Sequence, residues 1–166
     1  MEIEELVAPT SSDINDLAEV LVDCVDNGAS ISFMAGLTLE EAANWWHQVL
    51  GDGHYTFAAR DDSGRIVGAV RLQPSWAPNS TNRADVAKLL VRSSERGQGI
   101  ASALMDRLEG RARQLGRVLL MLDTETGSPA EAMYAHWGWE RIGVIEEFAY
   151  TPDGRLLATT IFVKRL

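Results

Sequence analysis

The sequence predicts an α/β protein with a central mixed, mostly antiparallel sheet of six or seven strands, about four helices and one strand-helix-strand unit. Pairs of apolar segments flank the turn-forming segments 61–64 (Asp-Asp-Ser-Gly) and 151–154 (Thr-Pro-Asp-Gly), which is typical of antiparallel hairpins. Between residues 85 and 122 an apolar run, a glycine-rich turn, an amphipathic helix and a second apolar run follow one another. Because such a crossover joins parallel strands, the sheet is expected to be mixed.

The first half of the chain predicts strands and two amphipathic helices. Ser11 or Ser12 is expected to cap the first helix, and Gly28 to end it. Thr38 and Glu41 form a capping-box sequence that begins the second helix. Strands are predicted at residues 3–7, 55–60, 66–72 and 85–91.

The second half adds two helices and three strands. Apolar residues at helical spacing predict a helix over residues 100–115 that ends at Gly116. Ser128 and Pro129, with Glu131 closing a capping box, begin a short last helix that stops before Gly138. The remaining strands are predicted at residues 118–122, 141–150 and 157–163. The first of these lacks polar alternation and is therefore expected to be buried on both faces.

Size and composition predict a single domain, residues 1–166, with enough apolar residues to form its own core, since 46% of them are hydrophobic. The sequence has no signal-peptide pattern and no membrane-length apolar stretch, which predicts a cytoplasmic protein that does not bind a membrane. Cys24 is the single cysteine, which excludes a disulfide within the chain. The histidines lack metal-ligand spacing, so no metal is expected.

Positive charge is concentrated in one segment of an acidic chain. Between Arg83 and Arg117 there are eight basic and four acidic residues, whereas the whole chain has a net charge of −9. A local basic segment in an acidic protein favours a polyanionic small molecule over a nucleic acid as the partner. The alternative is that these arginines form ion pairs on a solvated helix face.

The glycine-rich turn in this segment is the strongest candidate site. Arg96, Gly97 and Gly99 follow an apolar strand and directly precede a helix. Backbone N–H groups at such a helix start converge on one point, where the helix dipole favours an anion. The sequence therefore predicts a phosphate-binding turn.

Two segments carry a family resemblance. Residues 96–101 have the sequence Arg-Gly-Gln-Gly-Ile-Ala, and residues 134–139 have the sequence Tyr-Ala-His-Trp-Gly-Trp. They resemble the Arg/Gln-x-x-Gly-x-Gly/Ala signature and the aromatic-x-x-x-Gly-aromatic element of the GNAT superfamily of N-acetyltransferases. The predicted order of elements is also similar across nearly the whole chain. The resemblance implies the GNAT fold, an N-acetyltransferase activity and acetyl-CoA as the cofactor.

The resemblance assigns cofactor binding to the turn and to the strand before it. Main-chain N–H groups of the turn would bind the pyrophosphate of acetyl-CoA, because glycines let the backbone approach the phosphate oxygens. The backbone of the preceding strand would hydrogen-bond the pantetheine arm. The residues implied are Leu89, Leu90, Val91, Arg96, Gly97, Gln98, Gly99, Ile100, Ala101 and Ser102.

Acetyl transfer to an amine needs a base for the amine and an acid for the departing thiolate. The resemblance implies Tyr134 as the acid. Asp123 is the preferred base or amine-orienting group, because it ends a predicted buried strand at the carboxyl edge of the sheet. Glu125 and Asp85 are the reserve candidates, and a water chain in place of a single base stays open.

The acceptor is expected to be a small-molecule amine with an amino-acid-like structure. Asp123 and Glu125 suit a cationic amine, and Arg83 is able to hold a carboxylate through two hydrogen bonds. The predicted acceptor-binding residues are Phe33, Asn82, Arg83, Asp85 and Glu125.

A narrower resemblance involves several short segments, among them residues 28–30 (Gly-Ala-Ser), 82–84 (Asn-Arg-Ala) and 122–125 (Leu-Asp-Thr-Glu). These segments are similar to those of the tabtoxin-resistance acetyltransferases. The similarity implies a role in toxin or antibiotic resistance.

Two alternatives remain open for the same residues. Gly97 and Gly99, followed by Ser102, nearly match the dinucleotide-binding glycine pattern, and Asp123 is placed where a ribose-binding acid would be, although the third glycine is missing. A non-catalytic acyl-CoA sensor with the same fold would bind the cofactor without turnover. The sequence is compatible with a monomer or a homodimer.

Overall fold

The chain forms seven strands and four α-helices, as described by a computed structural model of residues 1–166. In chain order they are β1 (Glu2–Glu5), α1 (Ser11–Asp26), α2 (Leu39–Val49), β2 (Tyr55–Arg60), β3 (Ile66–Pro74), β4 (Arg83–Val91), α3 (Ile100–Gln114), β5 (Leu119–Glu125), α4 (Pro129–His136), β6 (Glu140–Tyr150) and β7 (Leu156–Arg165). The strands form one sheet in the order β1-β2-β3-β4-β5-β7-β6. Only β4 and β5 pair in parallel, which confirms the mixed, mostly antiparallel α/β fold.

All the predicted helices and strands are present, but one predicted cap is wrong. Thr10, rather than Ser11 or Ser12, caps α1. The Thr10 hydroxyl accepts a hydrogen bond from the Asp13 N–H at 3.2 Å, and the Asp13 carboxylate accepts one from the Thr10 N–H at 2.7 Å. This reciprocal pair satisfies two groups at the helix start, so it takes precedence over a lone serine hydroxyl.

The expectation that β5 is buried on both faces is also wrong. Leu120 and Leu122 are buried, whereas Leu119 and Met121 are only half-buried. The reason is that α1 packs against β3 and β4, so it leaves one face of β5 without a helix above it. The open face of β5 becomes one wall of the site described below.

Two apolar clusters cover the two faces of the sheet. The first packs α3 and α4 against one face, with Phe57 and Leu120 at its centre. The second packs α1 and α2 against the other face, and it includes Trp46, which is fully buried and donates its indole N–H to the Leu17 carbonyl at 3.0 Å. The alternation of Phe57 and Ala58 between the two clusters is the two-residue period of a strand buried on both sides.

The parallel pair separates soon after it begins. Only Arg83–Asp85 of β4 pair with β5, opposite Leu119–Met121. Beyond them β4 continues along β3 and β5 continues along β7. One edge of β4 therefore has no strand partner from Val86 onward, and a gap opens between the two strands.

A β-bulge lies on β4 at this gap. The register between β3 and β4 shifts between Ala69 and Arg71, and Lys88 has a φ of 54°. A side-chain-bearing residue rarely adopts this left-handed conformation, and a bulge bends its strand and redirects side chains. The bulge therefore turns Lys88 toward the gap.

Gly68 sets how closely α3 packs on the sheet. A Cβ atom at this position would lie 2.9 Å from the Leu90 carbonyl oxygen and 3.1 Å from Ile100 Cγ2. Leu90 is on β4 and Ile100 is the first residue of α3. Glycine at position 68 thus permits the close approach that places the start of α3 beside the gap.

We expect Gly68→Ala to lower the free energy of unfolding by about 1–3 kcal/mol, because the added methyl group overpacks this contact. Gly110→Ala is the matched control. Gly110 lies within α3 with no atom near its Cβ position, so alanine there should stabilise the protein by about 0.5–1 kcal/mol. Urea unfolding of both variants measures the difference, and equal effects would contradict the packing argument.

Candidate active site

A cleft of about 1260 Å³ opens where β4 and β5 separate. The glycine-rich turn, the first residues of α3, the loop after α1 and the end of α2 contribute to its lining. Residues of β3, β4, β5 and α4 complete it. Of the residues predicted to bind cofactor or to catalyse, those in the lining are Leu89, Leu90, Val91, Arg96, Gly97, Gly99, Ile100, Ala101, Ser102, Asp123 and Tyr134.

The turn presents unpaired main-chain donors. The backbone N–H groups of residues 96–102 donate no hydrogen bond within the protein. Gly97 and Gly99 have φ values of 77° and 81°, a conformation that favours glycine, and Gly99 caps α3 without a side chain in the way. Free N–H groups at the positive end of a helix form an anion-binding site.

The side chains of Arg96 and Gln98 in the turn are held by contacts within the protein. The Arg96 guanidinium donates to the Val91 carbonyl at 3.3 Å and lies 4.0 Å from Cys24 Sγ, while burial raises the pKa of the Cys24 thiol. Gln98 donates to Glu95 at 3.0 Å and does not line the cleft. The main chain, rather than these side chains, is therefore what the turn offers to an anion.

The local excess of positive charge does not converge on the turn. Three arginines of this segment form ion pairs with acidic residues, namely Arg92 with Glu19, Arg111 with Glu5, and Arg113 with Glu109. Arg117 donates to the Thr81 carbonyl. The ion-paired alternative thus holds for Arg92, Arg111 and Arg113, and of the eight basic residues only Lys88 and Arg96 line the cleft.

Tyr134 lies on α4 with its ring in the core and its hydroxyl group toward the cleft. Its side chain is buried against Trp137, Trp139 and Phe162, with ring centroids 5.8–6.1 Å apart. The hydroxyl makes no hydrogen bond within the protein and is not among the fully buried unsatisfied polar atoms, and the residue lines the cleft. Burial, together with the nearby charge of Asp123, raises the pKa of Tyr134 well above its usual value. The phenol therefore stays protonated at neutral pH.

Asp123 lines the same cleft as Tyr134. It is on β5, which continues to Glu125, so Asp123 stands two residues before the strand end rather than at it. Its carboxylate accepts a hydrogen bond from the Thr159 hydroxyl at 3.0 Å. Thr124 and Glu125 also line the cleft. The structure thus places Asp123, Glu125 and Tyr134 in one cleft.

The structure does not bring the predicted acceptor residues together. Phe33 lies outside the main cleft and lines a smaller pocket of about 260 Å³, which shares Asp123 and Glu125 with it. Asn82, Arg83 and Asp85 line neither of these pockets. The Arg83 guanidinium instead lies 3.6 Å from Met121 Sδ.

Asp85 lies near the start of β4. Burial raises the pKa of the Asp85 carboxyl. The positive charge of Arg83 opposes this shift, and the negative charge of Asp123 adds to it. Asp85 stands opposite Met121, two residues before Asp123 on β5, and only Asp123 lines the cleft.

Sequence reasoning gave no role in the site to two charged residues of the lining, Arg71 and Lys88. Arg71 lies on β3 and is 2% exposed, and Lys88 is at the bulge on β4. Arg71 carried a signal, because it is the only charged residue of β3, whereas Lys88 shares β4 with Arg83 and Asp85 and stood out less. A charge in a buried strand needs a partner or a function.

The structure holds no group of three or more His, Cys, Asp or Glu side chains arranged as metal ligands. None of its helices combines the length and apolar character needed to span a membrane.

Residues 23–139 match the model of the acetyltransferase (GNAT) family. The chain belongs to this family. It is therefore an acetyltransferase, and the fold predicted from the sequence is that of the family.

Solved structures agree on the fold of this GNAT protein. A ribosomal-protein-alanine N-acetyltransferase from Brucella melitensis is 24% identical with a TM-score of 0.82, and the match covers 100% of both chains. A GNAT superfamily phosphinothricin acetyltransferase from Sinorhizobium meliloti, solved with acetyl-CoA, is 21% identical with a TM-score of 0.80, covering 100% of this chain and 89% of that one. The yncA protein of Salmonella typhimurium, solved with its cofactor acetyl-CoA, is 16% identical with a TM-score of 0.77, covering 99% and 94%. The narrower resemblance to tabtoxin-resistance enzymes stays a prediction.

Proposed function

We propose that this GNAT protein transfers the acetyl group of acetyl-CoA to the primary amine of a small, amino-acid-like molecule by direct attack in a ternary complex. The observation that carries the proposal is that one cleft contains both the unpaired N–H groups of residues 96–102 and the unpartnered hydroxyl of the buried Tyr134. The N–H groups suit a diphosphate, and the hydroxyl suits a thiolate that leaves and needs a proton. A thioester cofactor with a diphosphate has both parts.

The residues present fit acetyl-CoA. The N–H groups of residues 96–102 would hold its diphosphate, and the unpaired edge of β4 at residues 89–91 would hydrogen-bond its pantetheine arm. Gly97 and Gly99 leave open space where a side chain would otherwise stand. When bound, acetyl-CoA supplies a thioester carbonyl that an amine attacks.

Asp123 and Tyr134 divide the proton chemistry of this transfer. Asp123, held by the Thr159 hydroxyl, accepts a proton from the acceptor amine or orients it. Tyr134 keeps its proton at neutral pH and gives it to the departing thiolate. Glu125 is the reserve base on the same wall of the cleft.

The test of the function is a thiol-release screen with acetyl-CoA and amino acids, polyamines, aminoglycosides and dipeptides as acceptors. Turnover with at least one primary amine is expected. Binding of acetyl-CoA without thiol release for every class would contradict the proposal and favour a non-catalytic acyl-CoA sensor. Thermal stabilisation by NAD but not by acetyl-CoA would favour a dinucleotide-binding protein instead.

The role of the turn is tested with Gly99→Ala. Because Gly99 has a φ of 81°, alanine costs about 1–2 kcal/mol of stability and displaces the N–H groups that meet the diphosphate. Acetyl-CoA affinity, measured by calorimetry, should fall at least about tenfold, which corresponds to about 1.4 kcal/mol. Gly64→Ala is the control, since Gly64 has a φ of 85° in the β2–β3 turn and lies outside the cleft. Unchanged affinity in Gly99→Ala would rule out this diphosphate site.

The role of the phenol is tested with Tyr134→Phe. We expect kcat to fall about 10²–10⁴-fold, as is usual for loss of a general acid, with little change in the KM for acetyl-CoA. Stability should be unaffected, because the hydroxyl has no hydrogen bond within the protein to lose. Tyr55→Phe, on β2 outside the cleft, should leave kcat unchanged. A Tyr134→Phe enzyme with full kcat would remove the tyrosine from the mechanism.

Asp123→Asn should lower kcat/KM for the acceptor about 10²-fold or more, because the amide neither accepts the proton nor attracts an ammonium group. Asp106→Asn, on the exposed face of α3, serves as the control for loss of one negative charge. Steady-state kinetics should also include Glu125→Gln. A larger loss in Glu125→Gln than in Asp123→Asn would show that Glu125 is the base.

A further inference from the structure

Arg71 offers an unused hydrogen-bond donor to the cleft. Its Nε donates to the Thr56 hydroxyl at 3.3 Å, and its Nη2 donates to the Val49 carbonyl at 2.8 Å and to Asp52 at 2.9 Å. Its Nη1 has no partner in the protein, yet it is not among the fully buried unsatisfied atoms. Because the side chain is 2% exposed and lines the cleft, the cleft is where Nη1 meets solvent.

Lys88 places a second cation next to Arg71. The ammonium donates to the Ile31 carbonyl at 2.8 Å and to the Ser32 hydroxyl at 3.0 Å. An ammonium has three protons, so one donor remains. The Trp45 ring joins the two cations, with Lys88 Nζ 5.6 Å and Arg71 Cζ 5.9 Å from its centroid.

Negative charge within the protein does not balance this pair. Asp52 is the carboxylate that forms an ion pair with Arg71, and it also contacts His54 at 3.1 Å, whereas Lys88 forms no salt bridge. Burial, followed by the positive charge of Arg71, lowers the pKa of Lys88 to about 8. Arg71 Nη1 and one proton of the Lys88 ammonium therefore remain without a partner in a partly desolvated cleft, which favours an anion that enters from outside.

The pair also lies close to the proposed reaction centre. Ser32, which accepts a hydrogen bond from Lys88, lines the smaller pocket together with Asp123, and the charge of Asp123 partly offsets the lowering of the Lys88 pKa. Lys88 and Asp123 line the same cleft. An acceptor whose anionic group binds Lys88 would thus reach Asp123 with its amine only if the anionic group and the amine are close together in the acceptor.

We propose that Arg71 and Lys88 bind the carboxylate of the acceptor, and that the acceptor is an α-amino acid. This inference rests on the proposed function and names the substrate class of the same site. The carboxylate accepts hydrogen bonds from Arg71 Nη1 and Lys88 Nζ, and the α-amine on the adjacent carbon faces Asp123. Arg71 and Lys88, which line the cleft, therefore take the carboxylate-binding role that the sequence had suggested for Arg83.

The test compares the twenty L-amino acids with their carboxamides, which keep the α-amine and remove the negative charge. Binding to the enzyme in the presence of CoA is measured by calorimetry, and turnover with acetyl-CoA by thiol release. We expect at least one acid to be preferred over its amide by about tenfold or more, the usual effect of hydrogen bonds to a charged group.

Variants assign that preference to the two cations. Lys88→Met keeps the length of the side chain and should reduce the acid-to-amide preference to about one, through Kd and KM rather than kcat. Lys88→Arg should restore most of it. Arg71→Gln should also lower it, although its bonds to Thr56, Val49 and Asp52 make this variant less stable. Arg83→Gln is the control and should keep the wild-type preference.

Three results would overturn the carboxylate subsite. They are amides that bind as tightly as acids throughout the series, a preference that survives in Lys88→Met, and a preference lost in Arg83→Gln. Acetylation of simple amines without any preference for acids would overturn the subsite and leave the acetyltransferase proposal intact. Tight, Lys88-dependent binding of an acid without thiol release would support the carboxylate subsite and contradict the acetyltransferase proposal.

Discussion

The separation of β4 from β5 after three residue pairs is the constraint on which the rest of the site depends. Hydrogen bonding holds each strand on its outer side, β4 to β3 and β5 to β7, so the gap costs the sheet only its inner pairs. The gap exposes one edge of β4, forms the cleft that the turn before α3 faces, and leaves space for the side chain of Lys88 at the bulge. If β4 and β5 paired along their whole length, none of these three features would be present.

Charge in this protein is organised locally rather than globally. Three of the arginines in this segment are ion-paired, Arg92 with Glu19, Arg111 with Glu5 and Arg113 with Glu109, so the local excess of positive charge is not free to act on a polyanion. The cleft instead combines main-chain dipoles at the turn, carboxylates on β5 and the cations Lys88 and Arg71 on β4 and β3. Such an arrangement suits a ligand whose charges alternate along its length.

Rigid packing holds the proposed acid in place. The ring of Tyr134 contacts Trp137, Trp139 and Phe162. The backbone N–H of Trp139 donates to the backbone carbonyl of Tyr134 at 3.1 Å. Only the hydroxyl group is left without a partner, so the core fixes the ring while the cleft determines what the phenol contacts. This division explains how one residue belongs to both the apolar core and the lining of the cleft.

The sequence by itself determined the order of the elements, the glycine-rich turn and the family resemblance, because these depend on local patterns such as turn residues, helix caps and apolar periodicity. It singled out Tyr134 and Asp123, which the fold brings into one cleft. Only the tertiary structure decided where the strands part, which arginines are neutralised and that Lys88, rather than Arg83, faces the cleft. Those outcomes depend on pairing between residues far apart in the chain, on which a local pattern carries no information.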